Sequence, residues 1–377
     1  MRELFDFEYP NVWDELKNTS LPIVLYGMGN GADKVLDKFE KRGIRAAGVM
    51  ASDDFCRYQE FRGFTVKKQS NFEREFGLSS AEGDTDNLPG LVSESAESYE
   101  TRSGGFMIAL CFGSSLPDVM DHIYEAAQKH PMLIPNVPVA GDTLTDDSFL
   151  ARFREDIEKA FSLLADDKSR RVFKGVLDFY YTGRPEYLKA IESDKSEAFE
   201  NILRLKNESF LDLGAYRGDT VDEFLHYTDG YTDITAVEPN PKNYKKLREH
   251  ISDIKNASAI NAGISDVGGI MRIGKKAGRM PTLGDESGVE VPVVTVDSLS
   301  CQPSYIKVDI EGTESAMLRG ARRTIGMYKP KLNLAAYHRS EDFFSLILQL
   351  HAINPDYKIY LRKHPYIPCW DLNIYAI

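Results

Sequence analysis

Short apolar runs alternate with amphipathic stretches along most of this chain, in two blocks separated by a purely helical one. After Leu21, PIVLY reads as a buried strand, GMGNG as a turn, ADKVLDKFEKRG as a helix with Val35, Leu36 and Phe39 on one face, and IRAAGVM as a second strand. GFTV around Phe64 and FMIALCFG from Phe106 read as later strands, and DVMDHIYEAAQKH as another helix. Residues 1–147 are therefore expected to form a small Rossmann-like α/β domain. The period then changes, because Phe149, Phe153, Ile157, Phe161 and Leu164 recur at steps of four and three, and RRVFKGVLDFYYTGRPEYL runs on as helix until Gly183 and Pro185 stop it. Residues 148–205 are expected to be a helical connector.

Strand and helix alternate again over 206–377. ESFLDLG, DITAVEP, ASAINAGI, VPVVTVDSL and SYIKVDIEG read as strands, with helical segments after the first, second and fifth. KLNLAAYH, a helix through FFSLILQLH, then YKIYLRKH and WDLNIYAI supply further sheet. The stretch from Ser79 to Gly105 is rich in Ser, Glu, Gly and Asp, with few large apolar side chains to offset the entropy of ordering it, so a mobile loop is expected there.

Composition narrows the function classes. Lys and Arg number 46 against 58 Asp and Glu, a formal charge of −12, and no basic stripe interrupts the acidity, which argues against binding nucleic acid or anionic lipid. The apolar runs are too short to span a bilayer, and the first residues lack the basic start and apolar core of a signal peptide. Cys56, Cys111, Cys301 and Cys369 are scattered, without a Cys-x-x-Cys pair for zinc or redox work. The expectation is a cytoplasmic protein of a reducing compartment with a small-molecule or saccharide partner and no membrane span.

Candidate chemistry concentrates in FLDLGAYRGDT. Its strand delivers Asp212, Gly214, Ala215 and Gly218 onto a helix, as a dinucleotide-binding turn does, but with carboxylates at Asp212 and Asp219 where a pyrophosphate would lie. Two acids so placed repel phosphate and suit the cationic amino group and sulfonium of S-adenosylmethionine, with Gly214 and Gly218 permitting close backbone approach. Glu238, at the end of the next strand, can accept hydrogen bonds from a ribose diol. Pro239 and Asn240 could line an adenine face, and Ser265 and Asp266 lie where its amino group could be read.

FLDLGAYRGDT, AVEPNPKNYKKL, NAGISDVGG, VVTVDSL and YIKVDIEGTESAMLRGA, in this order, resemble the FkbM family of S-adenosylmethionine-dependent methyltransferases. The resemblance runs from about Glu208 to Ile377, more loosely from Asp166. It implies a class I methyltransferase fold, a mostly parallel seven-stranded sheet with a reversed final strand, and methyl transfer to a hydroxyl of a saccharide or related acceptor. It also implies that Asp309 and Glu311 lie at the mouth of the fourth strand. Where many members carry an acid two residues before the histidine, this chain has Ala336, so His338 is expected to lack an orienting carboxylate.

His338 is the candidate general base because an unperturbed imidazole titrates near neutrality; Asp309 and Glu311 could share that role or bind acceptor hydroxyls, and His364 is the second choice. Asp309, Glu311 and His338 could ligate a divalent cation, but nothing in their spacing requires one and no metal is assigned. In the N-terminal block, Gly27-Met28-Gly29-Asn30-Gly31-Ala32 fits a nucleotide-type turn with Asp53 or Asp54 near a ribose. That block is read as a nucleotide or nucleotide-sugar site, a support for homo-oligomerisation or a docking surface. A protein that binds a nucleotide or S-adenosylmethionine without turnover, and an NAD-dependent sugar enzyme using the N-terminal turn, are the rival functions.

Overall fold

Ile23–Tyr26, all four residues buried, is the first strand (β1) of a parallel sheet in the computed structural model, which describes residues 2–53, 56–57, 59–76, 105–273 and 288–377. The other strands of this half are β2 (Ala46–Ala51), β3 (Glu60–Phe61), β4 (Phe64–Thr65), β5 (Lys67–Lys68), β6 (Met107–Leu110) and β7 (Met132–Leu133). Five of them form one sheet in the order β5-β2-β1-β6-β7, parallel throughout. The expected GFTV strand is split, with Phe64–Thr65 pairing back on Glu60–Phe61 as a hairpin and Lys67–Lys68 joining the sheet beyond the buried Val66. The stretch expected to be mobile lies, apart from Gly105, outside the described residues, as does Asp54.

Two long helices follow, Asp147–Ser162 and Asp167–Thr182, each opened by an aspartate whose carboxylate accepts a first-turn N–H, Asp146 from Phe149 and Asp166 from Ser169. Gly183 ends the second in the left-handed conformation. These helices are packed elements of the C-terminal half. Phe149 and Phe153 meet Phe344 on the helix Asp342–Ile353 at ring separations of 6.1 and 5.4 Å. Arg362, buried in the C-terminal sheet, pairs with Asp166 at 2.7 Å and Glu197 at 3.0 Å. One hydrophobic cluster runs from Val24, Tyr26 and Ile108 through Phe173 and Leu177 to Leu211, Val308, Leu334 and Leu361.

The second sheet is built from β8 (Lys206–Leu213), β9 (Asp229–Val237), β10 (Ala257–Ile260), β14 (Tyr305–Val308), β15 (Lys331–Ala335), β16 (Ile359–Lys363) and β17 (Leu372–Ala376), in the order β10-β9-β8-β14-β15-β17-β16. Pairing is parallel from β10 to β15, and β17 runs antiparallel between β15 and β16. The remaining strands, β11 (Gly263–Ile264), β12 (Gly269–Ile273) and β13 (Val289–Val294), make a separate small sheet in the order β11-β13-β12. Two expectations need correcting. ASAINAGI breaks after Ile260, and its last two residues join the small sheet together with the first four residues of VPVVTVDSL, in a strand where the exposed Glu290 and Pro292 flank the buried Val291 as on a strand with one wet face.

Candidate active site

Four adjacent parallel strands, β9, β8, β14 and β15, deliver the candidate residues from their carboxyl ends, where open α/β sheets bind ligands. Leu213 leads into a turn in which Gly214 and Ala215 both donate to the Val237 carbonyl, at 2.9 and 3.0 Å, and Gly218 donates back to Ala215 at 2.8 Å. Gly218 then caps the helix Asp219–Tyr227. Gly214 and Gly218 have φ of +88° and +103°, but their bare faces are turned to protein rather than to a ligand. A Cβ on Gly214 would fall 1.8 Å from the Asp309 carbonyl oxygen, and one on Gly218 2.5 Å from the His250 ring. The glycines thus serve to seat this turn on its neighbours, which corrects the role expected of them.

Asp212 is also placed differently from expectation. It is fully buried beneath the turn, its Oδ2 accepts from the Thr220 hydroxyl, and its Oδ1 has no hydrogen-bond partner. Burial pushes its carboxyl up to about 7. Glu238, just beyond β9, carries one backbone N–H on each carboxylate oxygen, Tyr216 at 3.0 Å and Asn240 at 2.8 Å, and so ties the glycine turn to the β9 loop. Burial pushes Glu238 up to about 7 as well, against the pull of those two N–H donors. Asn240 caps the helix Pro241–His250 through its side chain. Asn261, which the sequence did not single out, donates to the carbonyls of Glu238 and Pro239 at 2.8 and 3.0 Å and fixes that loop from β10. Ser265 and Asp266 lie beyond β11, where Asp266 accepts from Ser265 and is held by Arg319 Nε at 2.8 Å.

The strands β14 and β15 bring Asp309, Glu311 and His338 together. His338 is buried, with Nε2 3.4 Å from Asp309 Oδ1 and 3.7 Å from Glu311 Oε2. Glu311 takes a left-handed φ of +57°, and Tyr337 donates its hydroxyl to Asp309 at 3.2 Å. The orienting carboxylate that Ala336 does not provide comes from Glu314. This fully buried first residue of the helix Glu314–Gly320 puts Oε1 2.9 Å from His338 Nδ1 and accepts the Ile310 N–H at 3.0 Å. The readable signal was the acid three residues after Glu311, at the start of a helix.

The expected near-neutral titration of His338 does not hold in this environment. Burial alone would favour the neutral ring, but the Glu314 carboxylate, with Asp309 and Glu311 beyond it, overrides it and lifts the imidazole to about 9. Burial raises Glu314 and the His338 cation more than offsets that, so it stays below its usual range. Asp342, buried nearby and accepting the Arg339 N–H at 2.9 Å, is pushed up to about 8, by burial first and then by Glu314. Asp309, Glu314 and His338 also bring ligand-type atoms within 4.8 Å of one another, a set that could hold a cation.

His364, the second candidate base, lies elsewhere. Its ring nitrogens are 2.9 Å from the Ser193 carbonyl and 2.7 Å from the Tyr375 hydroxyl, inside the core. In the N-terminal turn, Gly31 rather than Ala32 makes the close helix contact, since a Cβ there would meet the Cys111 carbonyl at 2.2 Å, while Gly29 faces open space. Asp53 is engaged by the Ser70 N–H at 3.2 Å. No helix among the described residues is long and apolar enough to cross a membrane.

Residues 212–362 match the family described as the methyltransferase FkbM domain. A crystal structure of methyltransferase FkbM from Methylobacillus flagellatus KT aligns over 98% of this chain and 94% of its own at 22% identity and a TM-score of 0.68, a likeness of fold that includes the N-terminal half. Much more distant are Aeropyrum pernix fibrillarin, in complex with natively bound S-adenosyl-L-methionine (15% identity, 46% of this chain and 67% of that one, TM-score 0.31), and a precorrin-6y C5,15-methyltransferase from Geobacter metallireducens (12%, 52% and 88%, TM-score 0.31). No curated protein sequence matches the chain.

Proposed function

This chain carries a methyltransferase FkbM domain, and from that premise we propose that it transfers the methyl group of S-adenosylmethionine to a hydroxyl of a saccharide or related small molecule. One observation carries the reading: the glycine turn and the buried imidazole share a neighbour. Asp309 has its carbonyl packed on Gly214 and its carboxylate beside His338. A cofactor held by the turn and a proton acceptor just beyond β15 would thereby meet at one mouth.

The residues fit such a cofactor. A buried carboxyl with an unsatisfied oxygen, Asp212, favours a cationic group or the water that solvates it and disfavours phosphate. Glu238, which accepts one backbone N–H on each oxygen and a side-chain hydrogen bond from Asn243, still keeps a lone pair for a ribose hydroxyl. Pro239, Asn240, Ser265 and Asp266 would border the adenine. When bound, S-adenosylmethionine supplies a methyl carbon activated by its sulfonium. Asp309 and Glu311 then hold the acceptor hydroxyl, and His338 Nε2 takes its proton while Glu314 steadies Nδ1 and the positive charge that results.

Calorimetric titration of the full chain with S-adenosylmethionine, S-adenosylhomocysteine and NADH tests this directly. Both sulfur compounds are expected to bind, and because Asp212 and Glu238 titrate near 7 and act as carboxylates, affinity should drop by about tenfold per group from pH 8 to pH 6. Binding of NADH with no response to either sulfur compound would move the function to the N-terminal turn.

A further inference from the structure

We propose that residues 138–143, supplied by the N-terminal half, are a strap that positions the His338 loop, and that Lys34 is the residue that fastens it. The strap matters to catalysis only on the methyl-transfer reading above. Lys34 and Lys38 lie one turn apart on the helix Asn30–Arg42. Lys34 Nζ donates to the Pro138 and Val139 carbonyls at 2.9 and 2.8 Å, and Lys38 Nζ reaches Asp142 through its carboxylate at 2.9 Å and its carbonyl at 3.2 Å. The next contacts belong to the site. Ala140 donates its N–H to the His338 carbonyl at 2.8 Å, and Ser340 donates its hydroxyl to the Thr143 carbonyl at 2.6 Å. A Cβ added at Gly312, in the turn that carries Glu311, would fall 2.4 Å from Ala140 Cβ, and Arg339 Nε donates to the Gly312 carbonyl at 2.8 Å.

The strap is thus wedged between the two loops that carry Glu311 and His338, with the root of the imidazole held by a backbone hydrogen bond. Two features single out Lys34 over Lys38. The shorter of the two Lys38 contacts ends on a side chain of Asp142 that is 80% exposed, so water competes for it, and only the longer one, at 3.2 Å, reaches a backbone carbonyl. Lys34 is half-buried, its ammonium is bound to two backbone carbonyls, and burial draws its titration below the usual lysine range. A charged amine placed there holds a loop to a helix. The imidazole it serves faces Glu314 at the start of its helix, Asp309 and Glu311 beyond β14, and Asp342 on the helix Asp342–Ile353. A loop shift of about 1 Å would change those contacts, and geometric errors of that size are costly in an active site.

The experiment needs no acceptor. The histidine rings of the full-length protein are titrated by NMR, with His338→Gln for assignment, in the wild type, Lys34→Met, Lys34→Gln and Lys34→Arg, and S-adenosylhomocysteine affinity is measured alongside. In Lys34→Met the His338 titration should move by about one pH unit or more toward an ordinary histidine value, in Lys34→Gln by less, while Lys34→Arg stays near the wild type. Affinity for S-adenosylhomocysteine should stay within about twofold in all three, since the Gly214 turn is on other strands. A His338 titration in Lys34→Met within about 0.2 units of the wild type would overturn the strap, as would loss of S-adenosylhomocysteine binding in both Lys34→Met and Lys34→Gln, which would make the lysine a general prop of the fold. A wild-type His338 titrating near its ordinary value would instead overturn the reading of the site itself, whatever the variants do.

Discussion

Methyl transfer at low acceptor concentration should rise about tenfold per pH unit through neutrality and level off only near pH 9. The sign follows from the surroundings of His338. A base must be unprotonated to work, and Glu314, Asp309 and Glu311 hold this imidazole in its charged form up to about 9. Glu314→Gln removes the nearest negative charge, so the plateau should begin at lower pH, with a smaller maximum because the ring is less firmly aimed. His338→Gln should cost about a hundredfold to ten-thousandfold on the plateau near pH 9, and the gap should narrow as pH falls and the wild-type base is protonated. A pH profile of kcat/KM for the three proteins checks all of this, and a wild-type profile flat from pH 6 to 9 would remove His338 from the base role. The same pair makes a stability prediction of definite sign. The contribution from a raised His338 is fully present below its unfolded value near 6.5 and is lost as pH rises toward 9.

Gly214→Ala should damage the protein more than any other single methyl group added to the turns at this site. The residue has a left-handed φ of +88°, and the new Cβ would lie 1.8 Å from the Asp309 carbonyl oxygen, a backbone atom on the neighbouring strand that cannot swing aside. The conformational penalty is about 1–2 kcal/mol, and prising β8 from β14 at their ends adds enough that a total of about 4 kcal/mol is expected. At this chain length that corresponds to a fall in Tm of roughly 5 °C. S-adenosylhomocysteine affinity should fall along with it, because the displaced turn adjoins Asp212 and carries the Tyr216 N–H that holds Glu238. Gly29→Ala is the matched control: its Cβ meets nothing within 4 Å, so only the small loss of replacing a glycine N-cap by alanine is expected, a fall in Tm of about 1 °C. A Gly214→Ala protein that melts with the wild type would contradict the seating of this turn.

Much of this could be read from the chain before any coordinates. Buried parallel strands appear as apolar runs without polar alternation, which is why IVLY, FLDL and YIKV are legible at β1, β8 and β14, although the last two each hold one buried charged residue, Asp212 and Lys307. VPVVTVDSL misled because an apolar run does not reveal which sheet it joins, and β13 is paired on one side by a strand running the other way. The residues clustered at the strand ends were likewise legible as types in order, but their orientation was not. Gly214 looked like a place for a ligand to approach and is a place for Asp309 to approach; Asp212 looked like a lining residue and lies under the turn. Glu314 was missed because an acid at a helix start has an ordinary explanation as a cap, and only the packing of β15 beside it brings the imidazole within 2.9 Å. The strap was out of reach of sequence reasoning altogether, since its contacts join positions about one hundred residues apart on one side and about two hundred on the other.

The hydrophobic cluster that passes unbroken from β1 through the two long helices into β14 and β15 restricts how the molecule can move. Two halves with separate cores can swing about a linker and close over a substrate. Halves that share one core cannot rotate against each other without opening apolar surface to water. On the proposed reaction, admission of an acceptor and release of its methylated product would be served by small displacements of loops at the strand ends, and turnover should respond to changes in those loops far more than to changes in the linking helices.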